Sequence, residues 1–179
     1  ERPSQKLMKR IFGPTTERII SQMPCPVLIA RQKARPLQRW LLCEGGRDPS
    51  LIKRASQQLL PMMQQAETIT VLHVMSQISA APGVPGWELR AEADELMSKH
   101  TPEGELLVDD IRSLELLNIP ARAKIRHGLV VEEILTEARS GDYDVVVIGA
   151  HESKGWDRVL LDNLARQIVL QAEEPILVL

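Results

Sequence analysis

Residues 126–151, RHGLVVEEILTEARSGDYDVVVIGAH, carry the clearest structural signal in this chain. The spacing of the apolar residues over 129–139 predicts an amphipathic helix. The run DVVVIG, residues 144–149, is apolar throughout its middle, which is typical of a strand covered on both faces. The glycine that ends this strand, Gly149, predicts a turn. A helix that leads into a buried strand indicates a parallel sheet flanked by helices.

The same alternation of strands and helices extends in both directions from this stretch. ARAKIRH alternates small or apolar residues with basic ones, as an edge strand does, because charge discourages stray pairing. The predicted strands are WLLC (40–43), ITVLHVM (69–75), ARAKIRH (121–127) and PILVL (175–179). Further helices are predicted over 87–99, over 102–118 and before PILVL, with a loop at 76–86. This order predicts a doubly wound α/β fold with a parallel sheet.

The helix after WLLC has a start signal in the sequence. Asp48 is the predicted N-cap, and Pro49 suits the first helical position. The predicted apolar stripe of this helix consists of Leu51, Ile52, Ala55, Leu59 and Met62. Thr101 followed by Pro102 is a similar start signal for the helix at 102–118.

Two glycine turns follow predicted buried strands. Glu44-Gly45-Gly46 comes after WLLC, and Gly149 comes after DVVVI. In doubly wound folds, ligands bind outside the carboxyl ends of the strands, where the winding of the sheet reverses. If both turns lie at that reversal, they face one cleft.

Composition excludes several classes of function. The 179 residues are 44% hydrophobic and 26% charged with a net charge of −2, which suits a cytoplasmic domain without global attraction to nucleic acid or membranes. No apolar run approaches the roughly 20 residues that span a bilayer. Cys25 and Cys43 form neither a CxxC pair nor a metal cluster and are predicted to be reduced thiols.

The beginning of the chain repeats its end. Aligning GPTTERIISQMPCPVLIA (13–30) with DNLARQIVLQAEEPILVL (162–179) places a helix stripe and a proline-led apolar run on their counterparts. We therefore expect residues 1–35 to be the last helix and strand of a truncated first repeat plus a linker, and 36–179 to be a complete domain. Pro26–Ala30 is predicted to pair antiparallel with Pro175–Leu179, in cis or across a dimer, which would cover sheet edges.

From about residue 38 to 179 the sequence resembles the universal stress protein family. The resemblance rests on ITVLHVM, on residues 126–151 and on the helix leading to EEPILVL. It implies an adenine nucleotide alpha hydrolase-like, five-stranded parallel sheet of order 3-2-1-4-5, in which the winding reverses between strands 1 and 4. Together with residues 1–35, it implies the C-terminal part of a tandem protein, and a homodimer or pseudo-dimer through the last strands.

The ATP-binding branch of that family carries a motif of Gly, two residues, Gly, nine residues, Gly, then Ser or Thr. Gly149 matches its first position, whereas Glu152 and Asp162-Asn163 depart from it; Asp162 is predicted to be a helix N-cap. Glu44 stands where the family has an aspartate, and it is either a cleft ligand or a solvated turn residue. The nucleotide cleft that the resemblance implies consists of Glu44, Val74, Gly149, His151, Gly155 and Asn163.

The preferred hypothesis is a non-enzymatic stress-response and assembly module with a degenerate nucleotide cleft and no metal site. The alternative is an adenine-nucleotide-binding universal stress protein with ATP as its ligand. A third hypothesis rests on EGGRDPS (44–50), which resembles the pyrophosphate loop of adenylating enzymes at Gly45, Gly46 and Asp48 but departs from it at Glu44 and Pro49.

Overall fold

A mixed β-sheet flanked by helices organises the computed structural model, which describes residues 25–31, 36–46, 50–76, 86–149, 151–152, 159–160 and 163–179. The strands are β1 (Val27–Ile29), β2 (Arg39–Glu44), β3 (Thr68–Met75), β4 (Ala121–His127), β5 (Val145–Ile148), β6 (His151–Glu152), β7 (Val159–Leu160) and β8 (Ile176–Val178). The helices are α1 (Leu51–Met63), α2 (Ala93–Ser98), α3 (Pro102–Leu116), α4 (Val130–Ser140) and α5 (Asn163–Gln171), with a 3₁₀ turn at Glu88–Arg90.

Six of these strands form one sheet in the order β1-β8-β5-β2-β3-β4. The five strands from β8 to β4 are parallel, which confirms the predicted order and places the reversal of winding between β2 and β5. The strand at 121–127 is indeed an edge strand. Strands β6 and β7 form a separate antiparallel pair.

β1 adds an antiparallel strand to the outer side of β8. Val27 pairs with Val178, Leu28 with Leu177, and Ile29 with Ile176, so the predicted pairing is present within the chain. The side chain of Arg31 donates a hydrogen bond to the carbonyl oxygen of Val169 on α5. The segment after β1 is thereby fastened to the helix that precedes β8.

The two faces of the sheet have separate hydrophobic cores. Trp40 and Leu42 of β2 point into the core beneath α1, α2 and α3, whereas Leu41 points into the core beneath α4 and α5. Alternate residues of a strand face opposite sides, so one strand supplies both layers. Val145 to Ile148 of β5 are all buried, which confirms the prediction of a strand covered on both faces.

Some predicted local details are wrong. α1 has Ser50 as its N-cap instead of Asp48, because the Ser50 hydroxyl accepts the Lys53 N–H at 3.3 Å; Asp48 and Pro49 lie outside the described residues. Met62 is 38% exposed, and Met63, which is four residues after Leu59, completes the buried stripe. The predicted helix at 87–99 is divided into the 3₁₀ turn and α2, since Ala91 and Glu92 between them are extended.

Other local predictions are confirmed or fall outside the described residues. Thr101 caps α3 by accepting the Gly104 N–H at 3.1 Å. Most of the predicted loop at 76–86, and the predicted N-cap Asp162, lie outside the described residues. No helix of the described part of the chain is long and apolar enough to cross a membrane.

A buried ionic network fastens α4 to the edge strand β4. Glu137 is 1% exposed and accepts hydrogen bonds from Lys124 Nζ at 2.8 Å, Arg126 Nη1 at 2.8 Å and the Tyr143 hydroxyl at 2.7 Å. Burial opposes ionisation of Glu137, but these donors outweigh it and lower its pKa. Arg126 also donates through Nε to Glu133 at 2.7 Å. The basic residues of β4 thus hold α4 in place, and they also put positive charge on the edge strand of the sheet.

Replacing Glu137 by alanine should lower the free energy of unfolding by roughly 2–3 kcal/mol, because Lys124 and Arg126 would lose their buried counter-charge. Glu133→Ala is the matched control on the same helix. It removes one partly exposed ion pair and should cost about 1 kcal/mol or less. Urea denaturation near neutral pH measures both. Equal losses for the two variants would show that the buried network does not fasten α4.

Candidate functional site

A cavity of about 240 Å³ opens at the carboxyl ends of β2, β3 and β5, where the winding of the sheet reverses. Most of its wall is aliphatic and comes from β3, β5, α4 and α5. The aliphatic lining residues are Leu51, Leu72, Val74, Val130, Ile134, Ile148, Leu164, Ala165 and Ile168. Polar groups enter from Glu44, Arg54 and His73. An apolar cavity with a few convergent polar groups is the ordinary form of a small-molecule site.

The carboxylate of Glu44 joins the end of β2 to the start of α1. Oε1 accepts the Gly46 N–H at 2.8 Å, and Oε2 accepts the Leu51 N–H at 2.7 Å. Glu44 is 4% exposed, so the prediction of a solvated turn residue is wrong. Gly46 has a φ of +69°, a conformation that favours glycine in this turn. Glu44 therefore occupies one N–H donor of the glycine turn and one at the positive end of α1.

α3 contributes a second buried carboxylate, Asp110. It is 3% exposed, and its Oδ2 atom has no hydrogen-bond partner among the described residues. Burial, and then the charge of Glu44, raise the pKa of Asp110 to about 7. Asp110 is not among the residues that line the cavity, so its carboxyl belongs to the interior behind α3 rather than to the cavity wall.

Arg54 of α1 brings positive charge to the opposite side of the cavity. Its Nη1 atom donates to the carbonyl oxygen of Leu179 at 3.3 Å, and its Nη2 atom lies where a Cβ at position 149 would be. Gly149 therefore leaves room for a guanidinium group at the end of β5. Because position 149 has no side chain, the Arg54 guanidinium group can pack against the end of β5.

His73 and Cys43 are the remaining reactive groups in the lining. His73 Nδ1 lies 3.0 Å from the carbonyl oxygen of Glu44, and since a carbonyl oxygen only accepts, Nδ1 carries the hydrogen and donates it. Burial is the main reason that the pKa of the Cys43 thiol is raised. The thiol therefore remains protonated and is a poor nucleophile.

The structure brings together three of the residues predicted for the cleft. Glu44, Val74 and Gly149 line the cavity. Asn163 is exposed at the start of α5, the helix that contributes Leu164, Ala165 and Ile168 to the wall. His151 lies in β6, and Gly155 is outside the described residues.

The sequence analysis singled out neither Arg54 nor His73 as a site residue. A basic residue one turn into the helix after a glycine turn is the signal that points to Arg54. For His73, the signal is its position two residues before the end of a central strand. Both positions follow from the rule that sites form at the carboxyl ends of parallel strands.

The profile of the universal stress protein family matches residues 50–179. This chain belongs to the universal stress protein family. A search of curated proteins found no match to the sequence. The family assignment rests on most of the chain and includes four of the five parallel strands described above.

Solved structures show the same fold, which is adenine nucleotide alpha hydrolase-like. A protein of unknown function from Pseudomonas aeruginosa PAO1 is 20% identical with a TM-score of 0.61, and the alignment covers 100% of this chain and 60% of that one. An Arabidopsis thaliana universal stress protein with AMP bound is 19% identical with a TM-score of 0.52. That alignment covers 79% of this chain and 90% of the Arabidopsis chain. A universal stress protein in complex with cAMP is 13% identical with a TM-score of 0.54. That alignment covers 81% of this chain and 98% of the cAMP-bound chain.

Adding a methyl group at Gly149 should displace Arg54 in this universal stress protein domain. Gly149→Ala is expected to lower the free energy of unfolding by about 1 kcal/mol, since the Arg54–Leu179 hydrogen bond is lost. In an Arg54→Ala background the same change should be close to neutral. A double-mutant cycle by urea denaturation measures this coupling. Equal losses in both backgrounds would mean that Gly149 and Arg54 do not compete for the same space.

Proposed function

We propose that this universal stress protein domain is a non-enzymatic stress-response and assembly module with a degenerate nucleotide cleft. The observation that carries the proposal is the position of the Glu44 carboxylate. It accepts the N–H group of Gly46 in the glycine turn and that of Leu51 at the start of α1, and glycine turns that lead into a helix are the kind of donor arrangement that holds phosphate groups. A ligand phosphate would have to displace a carboxylate that is already well bonded.

Electrostatics also oppose an anionic ligand next to Glu44. A phosphate charge about 5 Å from the carboxylate is disfavoured by roughly 3 kcal/mol at an effective dielectric of 20. The sequence adds further carboxylates, Glu152 and Asp162, at positions of the nucleotide motif that are glycine in the ATP-binding branch. Arg54 offsets only part of this negative charge.

The reactive groups in the cavity support a binding role rather than catalysis. The Cys43 thiol is kept protonated, because burial raises its pKa. His73 uses one ring nitrogen to hold the backbone of Glu44. The protonated thiol and the imidazole that is bonded to the backbone therefore support a binding role for the cavity.

Adenine-nucleotide binding is the second candidate function. It is favoured by Arg54, whose guanidinium group reaches the end of β5 next to Gly149 and supplies a positive charge for one phosphate. The related structures with AMP and with cAMP support the same candidate. Under this candidate, Glu44, Val74 and Gly149 line the nucleotide site together with Arg54.

Isothermal titration with ATP and magnesium separates the two candidates. We expect no heat of binding from the wild-type protein whose fold is intact by circular dichroism. Glu44→Gln removes the charge and keeps the shape, so it should improve ATP affinity by about tenfold or more if repulsion is the obstacle. Gly149→Trp is the control that blocks the cavity.

If the wild type binds ATP with micromolar affinity and Gly149→Trp does not, the proposal of a degenerate nucleotide cleft is overturned. Absence of heat would instead overturn the nucleotide-binding candidate. Pyrophosphate release from ATP in the same samples would overturn the non-enzymatic assignment and support the adenylating-enzyme hypothesis.

We further propose that residues 1–35 are the end of a preceding repeat and that assembly involves the last strands as a homodimer or pseudo-dimer. The antiparallel pairing of β1 with β8 supports this, since β1 occupies the position of the last strand of a partner domain. The Pseudomonas chain, of which this chain spans 60%, is long enough for a tandem arrangement.

Removing residues 1–35 should expose the edge of β8 and raise the oligomeric mass, because an uncovered edge strand pairs with other chains. Leu28→Pro tests the same contact without deleting any residues. Leu28 is the middle residue of the three-residue pairing, and proline there disrupts the pairing with β8. Leu28→Thr is the matched control at this half-exposed position. Size-exclusion chromatography with light scattering measures the mass, and an unchanged mass after the deletion would contradict the assembly role.

A further inference from the structure

We propose that the cavity binds a small, uncharged molecule with one or two fused apolar rings, in preference to a phosphorylated molecule with the same rings. The proposal rests on the proposed function, because it takes the degenerate cleft as the working site and names the class of its ligand. It follows from the volume of the cavity, from the bonds of its charged groups and from the exposed leucines beside it.

The volume of the cavity limits the size of its ligand. An apolar protein cavity of about 150 Å³ holds one benzene molecule. At the same packing, the 240 Å³ of this cavity accommodates about ten non-hydrogen atoms, which is the size of two fused rings. Sites for drug-sized ligands range from about 300 to 1,000 Å³, so this cavity is small. A compact ring system fits inside it, and a triphosphate chain does not.

The sheet and the helices line the cavity with aliphatic side chains from two sides. Leu72 of β3 and Ile148 of β5 belong to the sheet, and Ile134 of α4 and Ile168 of α5 belong to the helices that cover it. The same four residues are part of the hydrophobic core beneath α4 and α5, so the cavity is an opening in that core. The hydrophobic effect favours burial of an apolar ring here. A phosphate group would lose its hydration against the same wall.

Both charged groups of the described lining are bonded to the protein. Glu44 accepts the N–H groups of Gly46 and Leu51 at 2.8 and 2.7 Å. Arg54 donates through Nη1 to the carbonyl oxygen of Leu179 at 3.3 Å. An uncharged ligand leaves these bonds intact, whereas a phosphate has to compete with Glu44 for the N–H groups. The wall therefore favours an uncharged ligand.

His73 supplies one polar contact for such a ligand. Its ring lines the cavity, and its Nδ1 atom donates to the carbonyl oxygen of Glu44. Within the described residues, Nε2 makes no hydrogen bond. A ligand hydroxyl group both donates and accepts, so it can bond to Nε2 whether or not that atom carries a hydrogen. An apolar ring system with a hydroxyl group thus matches this part of the lining.

Exposed leucines lie at the start of the two helices that cover the cavity. Leu164 of α5 lines the cavity and is 43% exposed. Leu129 is 49% exposed and directly precedes Val130, the first residue of α4, which also lines the cavity. The two helices pack against each other. Apolar surface therefore continues from the cavity to its solvent-exposed rim, where an apolar ligand would enter.

Two ligands with the same rings test the ligand class. 2-Naphthol is an uncharged pair of fused rings with a hydroxyl group, and 2-naphthyl phosphate carries a phosphate group in its place. We expect 2-naphthol to bind the intact chain with a Kd below about 1 mM. The phosphate should bind at least about tenfold more weakly, because Glu44 repels it. Carbon-13 methyl NMR titrations measure both affinities, and NOEs from the naphthol ring to the methyl groups of Ile134 and Ile168 locate the ligand.

Three variants test the position and the cause of the preference. Leu164→Ser removes apolar surface from the rim and should weaken 2-naphthol binding about threefold or more. Leu116→Ser is the matched control, because Leu116 of α3 is 76% exposed and is not among the lining residues, and it should bind 2-naphthol like the wild type. Glu44→Gln should narrow the difference between the two ligands by raising the affinity for the phosphate.

Equal or tighter binding of 2-naphthyl phosphate by the wild type would overturn the inference. Equal effects of Leu164→Ser and Leu116→Ser, or NOEs confined to methyl groups outside the cavity, would overturn it as well. The ATP titration is a separate result. If ATP binds in the cavity and 2-naphthol still binds more tightly than its phosphate, the degenerate cleft alone is overturned. If neither ATP nor 2-naphthol binds, only this inference is overturned.

Discussion

The hydrogen bonds of Glu44 connect the centre of the sheet to the helix that covers it. β2 lies between β3 and β5, and Glu44 at its end accepts donors from the glycine turn and from the first residue of α1. A carboxylate at the start of a helix stabilises that helix through the helix dipole. In the proposed degenerate cleft, a phosphate group would compete with Glu44 for the same backbone N–H groups. Under that proposal, the contact that stabilises the fold also lowers the affinity for an anion.

The cavity lining contains few charged groups, and they carry both signs. Glu44 brings a carboxylate and Arg54 brings a guanidinium group into a wall that is otherwise mostly aliphatic. Glu44 accepts the Gly46 and Leu51 N–H groups, and Arg54 donates to the carbonyl oxygen of Leu179. Both charged groups therefore also hold neighbouring segments of the wall together.

The order of elements was predictable from the sequence because it depends on local patterns. The apolar run of β5, the stripe of α4 and the alternation in β4 each reflect the faces that those elements bury. The cleft was less predictable. The burial of Glu44 and the role of Arg54 depend on contacts with Leu51, Gly149 and Leu179, and no periodicity encodes such pairs. The N-cap at Ser50 was missed because Asp48 and Pro49 are an equally good local signal.

The two edges of the sheet are protected by different means. At β4, Lys124 and Arg126 put charge on the edge, and their bonds to Glu137 hold them in fixed positions. At the other side, β1 covers β8, so that β1 becomes the outermost strand of the sheet within the described residues. β1 is only three residues long and follows Pro26, and both features limit further pairing. An antiparallel strand of this kind ends the growth of a parallel sheet. Since β8 is already paired within the chain, a further copy would have to meet β1 or displace it.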